Sequence, residues 1–187
     1  MSSQIWQRLR SEAESVIQRE PLLASYVYAC VLNHDNLESA LGFILANKLS
    51  DDVMPAKSVG ELFESAFASS PKLAHDAASD ILAVYERDAA TRSYLQAILF
   101  LKGFQAVQVH RLAHCLWQDG RKELALFIQS RNSQVFGVDI HPACWMGRGI
   151  MLDHATGIVI GETTVIDDNV SILQQVTLGG TGNEQGD

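Results

Sequence analysis

The chain has 187 residues, 47% of them apolar and 19% charged, which is the balance of a globular protein of one large or two small domains rather than a disordered one. Its formal charge is -8, and its 14 basic residues are scattered without a stripe, which argues against a nucleic-acid partner. MSSQIWQRLRSEAE lacks the apolar core of a signal peptide, AILFLKGF falls far short of the ~20 residues that cross a bilayer, and three cysteines without a CxxC suit a reducing cytoplasm, so neither membrane nor disulfide framework is expected.

The first part of the chain reads as helices with turn punctuation. Ile5, Trp6, Leu9, Ala13 and Val16 form one apolar face over residues 3–18. Pro21 opens a second helix through LLASYVYACVL. Asp35 with Glu38 fits a capping box before LESALGFILANKL, and Ser58 with Glu61 repeats the signal before LFESAFA. Ser70-Pro71 opens a helix to about Arg87. After a break at Asp88–Thr91, one apolar helix is expected over about 94–118. Asp119-Gly120 turns the chain, and ELALFIQSRNSQVF makes the last helix.

From Val138 the helical period disappears. Apolar residues now recur every six positions. One column runs Ile140, Met146, Leu152, Ile158, Thr164, Val170 and Val176, and a second runs Ile160, Ile166, Ile172 and Leu178. Glycines at 147, 149, 157 and 161 lie between them, at corners where positive φ is expected. A six-residue period is not that of an α-helix. It fits a parallel β-helix, in which every six residues supply one short face and one corner, and three faces complete a triangular coil. The expected fold is therefore α+β, with a helical domain over 1–137 and an incomplete β-helix over 138–187. An ordinary β-sandwich is the alternative. Fewer than three coils fit into 138–187, so the chain is expected to be part of a longer protein, because solenoids need several repeats and a cap.

The residues DIHPACWMGRGIMLDHATGIVIGETTVIDDNVSILQQVTLGGTG closely resemble serine acetyltransferase, a hexapeptide-repeat acyltransferase. The likeness extends into the helical part at EPLLAS, LANKLS and LKGFQAVQVHRLAHCLW. DHATG with VTLGGTG narrows a broad superfamily to this activity. The resemblance implies a left-handed β-helix behind the helical domain, a trimer through the β-helix, and a dimer of trimers through the helices. It implies acetyl transfer from acetyl-CoA, a co-substrate and not a resident cofactor, to L-serine, with no metal in the mechanism. It also implies inhibition by L-cysteine. The family's C-terminal tail, which docks into O-acetylserine sulfhydrylase, and its Arg-His pair for the serine carboxylate match no residues of this chain.

An alcohol is a poor nucleophile at neutral pH and needs a base beside it. The resemblance assigns that role to His154 of DHATG, with Asp139 of DIHP as the carboxylate that orients it. The two lie 15 positions apart, nearly one coil. A satisfied turn histidine and a cap at the domain junction are the plain alternatives. Asp88 and Asp153 match the carboxylates that hold the serine ammonium, the alternative for each being a loop or turn aspartate. Gly180 and Thr181 are expected near the pantetheine arm. His110 and His114 lie four apart on a helix but are expected to pack or meet solvent rather than bind metal. Other readings are acetyl transfer to another acceptor, such as a sugar, and a non-catalytic oligomerisation module.

Overall fold

Two kinds of local sequence divide the work of folding here, and the computed structural model describes residues 2–180. Eight helices come first: α1 (Ser2–Arg19), α2 (Ala24–Val27), α3 (Leu37–Leu49), α4 (Ala56–Ser69), α5 (Lys72–Arg87), α6 (Tyr94–Phe100), α7 (Lys102–Gln118) and α8 (Lys122–Phe136). Seven short strands follow: β1 (Val138–Ile140), β2 (Trp145–Met146), β3 (Met151–Asp153), β4 (Ile158–Ile160), β5 (Val165–Ile166), β6 (Ser171–Leu173) and β7 (Thr177–Leu178). The compact units divide between Leu101 and Lys102. The expected boundary at 137/138 is where strands begin. The unit that contains those strands starts earlier, because α7 and α8 pack on β1 and β3.

In the first unit, α1 buries Ile5, Trp6, Leu9 and Ala13, the face read from its spacing. It packs on α5 and α6. Arg8 reinforces that contact: its guanidinium lies 4.6 Å and 4.0 Å from the ring centroids of Tyr85 and Tyr94. The helix opened by Pro21 changes pitch twice, from a tight turn at Pro21–Leu23 through α2 to a widened turn at Tyr28–Leu32. His34 Nε2 meets the Ala29 carbonyl left over there, at 2.9 Å.

Two helix starts differ from the sequence reading. Asn36, not Asp35, caps α3: its Oδ1 accepts from Ser39 N at 2.8 Å. Helix α4 begins at Ala56 behind Pro55, so Ser58 lies inside it. The Asp51 carboxylate accepts from Val53 N and Met54 N in the preceding turn, and Pro55 already has the φ (-71°) that admits a helix. The expected 94–118 helix is two helices, broken at Leu101.

In the second unit, α7 and α8 pair, and α8 ends on Gly137 in the left-handed conformation (φ 67°). That residue turns the chain from helix to strand in one step. The strands then coil. β1, β4 and β7 form one parallel face, β2 and β5 a second, β3 and β6 the third. Between the first two coils, Val138 faces Ile158, Trp145 faces Val165 and Met151 faces Ser171, each twenty positions on. From β4 to β7 the step is eighteen, Val159 facing Thr177. Ile140, Met146, Leu152 and Ile158 of the first expected column and Ile160, Ile166 and Ile172 of the second are buried, while Thr164, Val170, Val176 and Leu178 are half-buried. Of the four interleaved glycines, Gly149 and Gly157 have positive φ.

Candidate functional site

The two extra residues of the first coil lie at one place. Inward residues step by six from Ile140 to Met146 to Leu152, then by eight from Leu152 to Ile160. The surplus forms the corner 154–157 between β3 and β4, which is His154-Ala155-Thr156-Gly157. His154 and Ala155 both take left-handed backbone, with φ of 54° and 66°. For residues with a Cβ this costs roughly 1–2 kcal/mol each, so the surroundings must enforce it. Ala155 is buried and anchors the corner from below, while the His154 side chain stays 76% exposed. Backbone bonds tie the corner to its neighbours: Gly157 N donates to Gly137 O at 2.8 Å, and Gln175 N of the next coil to Thr156 O at 2.9 Å.

Asp153, the last residue of β3, stands beside the imidazole, with Oδ1 3.8 Å from His154 Nε2. Asp139 projects outward from β1, between buried Val138 and Ile140. Its Oδ1 accepts from Gln129 Nε2 of α8 at 2.7 Å. The structure thus brings His154 to Asp153, while Asp139 is held by Gln129 and makes no hydrogen bond to His154. Gln129 did not stand out in the sequence; the only trace of its role is a polar residue bordering the buried Ile128 and Asn132 face of α8. Lys102 was also unmarked. Its Nζ donates to Thr156 Oγ1 at 2.5 Å.

Asp88 belongs to the first unit and closes α5. Its Oδ1 accepts from Ala90 N at 2.8 Å and its Oδ2 from the Thr91 hydroxyl at 2.6 Å. Gly180 lines a shallow hollow of ≈ 290 Å³ with Val159, Gly161, Glu162, Thr177 and Gly179. Thr181 lies outside the described residues. His110 and His114 lie side by side on α7, with ring centroids 6.0 Å apart. His110 is buried, and burial, with His114 and Arg111 alongside, pushes its pKa down to about 3, so it is neutral. His114 Nδ1 donates to Pro142 O at 2.8 Å. Among the described residues no group of three His, Cys, Asp or Glu side chains is placed to hold a metal, and no helix is long and apolar enough to cross a membrane.

A histidine on a protruding, enforced corner, exposed to solvent and with the Asp153 carboxylate beside it, can accept a proton from a small polar substrate. The "Serine acetyltransferase, N-terminal" family model matches residues 5–109. The serine acetyltransferase of Salmonella typhimurium is 53% identical over 183 residues, covering 98% of this chain and 67% of that protein. The chain therefore spans about two thirds of that relative. Among solved structures, a truncated serine acetyltransferase apoenzyme superposes with a TM-score of 0.98 at 51% identity, covering all of this chain and 78% of that one. A serine acetyltransferase in complex with CoA superposes at 0.96 with 51% identity, covering 97% and 77%. Related structures hold cysteine and, in the soybean protein, serine.

Proposed function

The chain belongs to the serine acetyltransferase family, and on that premise we propose that it moves the acetyl group of acetyl-CoA onto the hydroxyl of L-serine, with His154 as the general base. The observation that carries the reading is the eight-residue step that thrusts His154 out of an otherwise six-residue repeat. A structural histidine needs no such departure. In the proposed reaction the imidazole takes the serine hydroxyl proton as the oxygen attacks the thioester carbonyl. The C–S bond then breaks, and the imidazolium returns the proton to the departing CoA thiolate. O-acetylserine and CoA leave, and His154 is neutral again.

Asp139 is proposed to orient and stabilise the imidazolium. One of its oxygens is fixed by Gln129, which leaves Oδ2 for the imidazole. Asp153 and Asp88 are proposed to hold the serine ammonium. Gly180 and Thr181 are proposed beside the pantetheine arm, a reading supported for Gly180 by its place in the hollow. L-cysteine differs from serine only in a thiol for a hydroxyl, so it is proposed to compete at the same site. A left-handed trimeric β-helix, doubled through the helical part, is the proposed assembly. Exposed Trp145, Val159, Val165 and Leu173 on the outer strand faces support it. Docking of O-acetylserine sulfhydrylase is proposed only for the tail known from the family. The three free cysteines suit a cytoplasmic enzyme.

The test is CoA thiol release with acetyl-CoA and L-serine. Wild-type release should depend on serine, and His154→Ala should lower kcat by roughly 10²- to 10⁴-fold, the usual worth of a general base. Its exposed side chain predicts an unchanged fold. Wild-type-like turnover by that variant would exclude His154 as the base. Serine-independent release would move the reading to another acceptor. No release at all, with a discrete oligomer in sedimentation, would leave the assembly-module reading.

A further inference from the structure

The corner that carries His154 is held by backbone bonds from two coils, but among the described residues one side chain alone reaches it from outside with a hydrogen bond. That side chain is Lys102, whose Nζ donates to Thr156 Oγ1. Lys102 opens α7, and the residue after it is pressed against β3. A Cβ on Gly103 would lie 1.9 Å from the carbonyl oxygen of Leu152 and 2.9 Å from its carbonyl carbon. The helix therefore meets the strand at a fixed distance, with its first side chain directed along the strand toward the corner. The lysine is half-buried, so its aliphatic stem lies on protein and the ammonium faces the threonine.

The link from Thr156 to the base is short. Thr156 N donates to the carbonyl of His154 at 2.9 Å, and Ile158 N to that of Ala155 at 3.2 Å. Thr156 N closes the left-handed turn about Ala155 and Ala155 N closes the one about His154 on the Asp153 carbonyl, so fixing the Thr156 side chain fixes the residue whose amide anchors the His154 carbonyl. We propose that Lys102 is a positioning residue, which through Thr156 sets the direction of the His154 imidazole. The inference rests on the catalytic role given to His154 above. Lys102 acts on the corner and not on substrate, so its loss lowers the rate of the chemical step and leaves binding alone.

The test combines a double-mutant cycle with a direct view of the ring. Lys102→Met keeps the stem and removes the donor, and Thr156→Val keeps the shape and removes the acceptor. Each should lower kcat by about 3- to 10-fold, the worth of one charge-assisted hydrogen bond at a partly exposed site. KM for serine and acetyl-CoA should stay within about twofold of wild type. The double variant should be no worse than either single one. Lys102→Arg and Thr156→Ser should restore most of the rate. In ¹⁵N-correlated spectra the His154 ring signals should shift or broaden alike in Lys102→Met and Thr156→Val, with unchanged far-UV circular dichroism. Effects that multiply in the double variant, a raised serine KM at constant kcat, or unmoved His154 signals would each overturn the proposal. If wild type turns over no serine, the catalytic reading fails, while the ring signals still decide whether Lys102 holds the corner.

Discussion

Gly103→Ala isolates the contact on which the corner's geometry depends. In an unconstrained helix the exchange stabilises by roughly 0.5–1 kcal/mol, because alanine loses less backbone entropy. Here the new methyl would lie 1.9 Å from Leu152 O. A carbon–oxygen contact settles at roughly 3.3 Å, so helix and strand must part by roughly 1.4 Å. The obstacle is strand backbone with buried Leu152 behind it, and no rotamer change relieves it. Overpacking of this kind costs about 1–3 kcal/mol and occasionally more. With part of that cost offset by helix propensity, the net loss is about 1 kcal/mol. For a chain of this length that lowers Tm by roughly 2–4 °C. Urea and thermal unfolding followed by circular dichroism would measure it. Gly120→Ala is the control: Gly120 has φ 77° and nothing within 4 Å of a Cβ, so it should show only the left-handed backbone cost of roughly 1–2 kcal/mol. Gly103→Ala should also disturb the His154 ring signals, and Gly120→Ala should not. A Gly103→Ala protein as stable as wild type would refute the close approach.

Two further outcomes follow from the helices. Asn36→Ala should cost about 1 kcal/mol in urea unfolding, the worth of a lost N-cap, while Asp35→Ala should cost almost nothing; the reverse order would restore Asp35 as the cap. His110 has its pKa pushed from 6.5 to about 3 in the folded chain. The unfolded chain therefore binds a proton below 6.5 that the folded chain refuses, and stability falls as pH drops from 6.5 toward 3. Between pH 7 and pH 5 the linked loss is about 2 kcal/mol. His110→Leu should lose that much less stability over the same span, and equal slopes for the two proteins would exclude His110 as the source.

What was legible in the helical part follows from how each segment is buried. α1 presents one buried face, and its spacing showed it. The start of α5 was legible too, because Ser70-Pro71 is a local signal. Helix α7 is different, since Gly103 through Ala113 are all buried, polar residues included. Periodicity has nothing to contrast there, so the break at Leu101 left no mark. It exists because the first turn of α7 must meet Leu152, a contact fifty positions away in the chain. The Asp35 and Ser58 misreadings have a similar source. Each lies within three residues of the true cap, and a competing neighbour, Asn36 or Pro55, has the better geometry.

The β-helix hid its most informative feature by a coincidence of lengths. Each coil buries two lines of side chains two positions apart. One line is Val138, Cys144 and Ile150, and the other is Ile140, Met146 and Leu152; all six are buried. Across the His154 corner the pairing carries Val138 to Ile158 and Ile140 to Ile160. The same register brings Trp145 N to Thr164 O and Met151 N to Val170 O. The true lines are thus 138, 144, 150, 158, 164, 170 and 140, 146, 152, 160, 166, 172. The insertion of two residues equals the offset between the lines. A column drawn in strict steps of six therefore crosses from Leu152 on one line to Ile158 on the other with no visible gap, and both ends are buried. Periodicity alone could show that a coil was present, but it concealed the one corner that breaks it. That corner is where the motif DHATG falls. The chemistry of the residues and the interruption of the fold locate the same histidine by independent routes, and only the pairing register reveals the second.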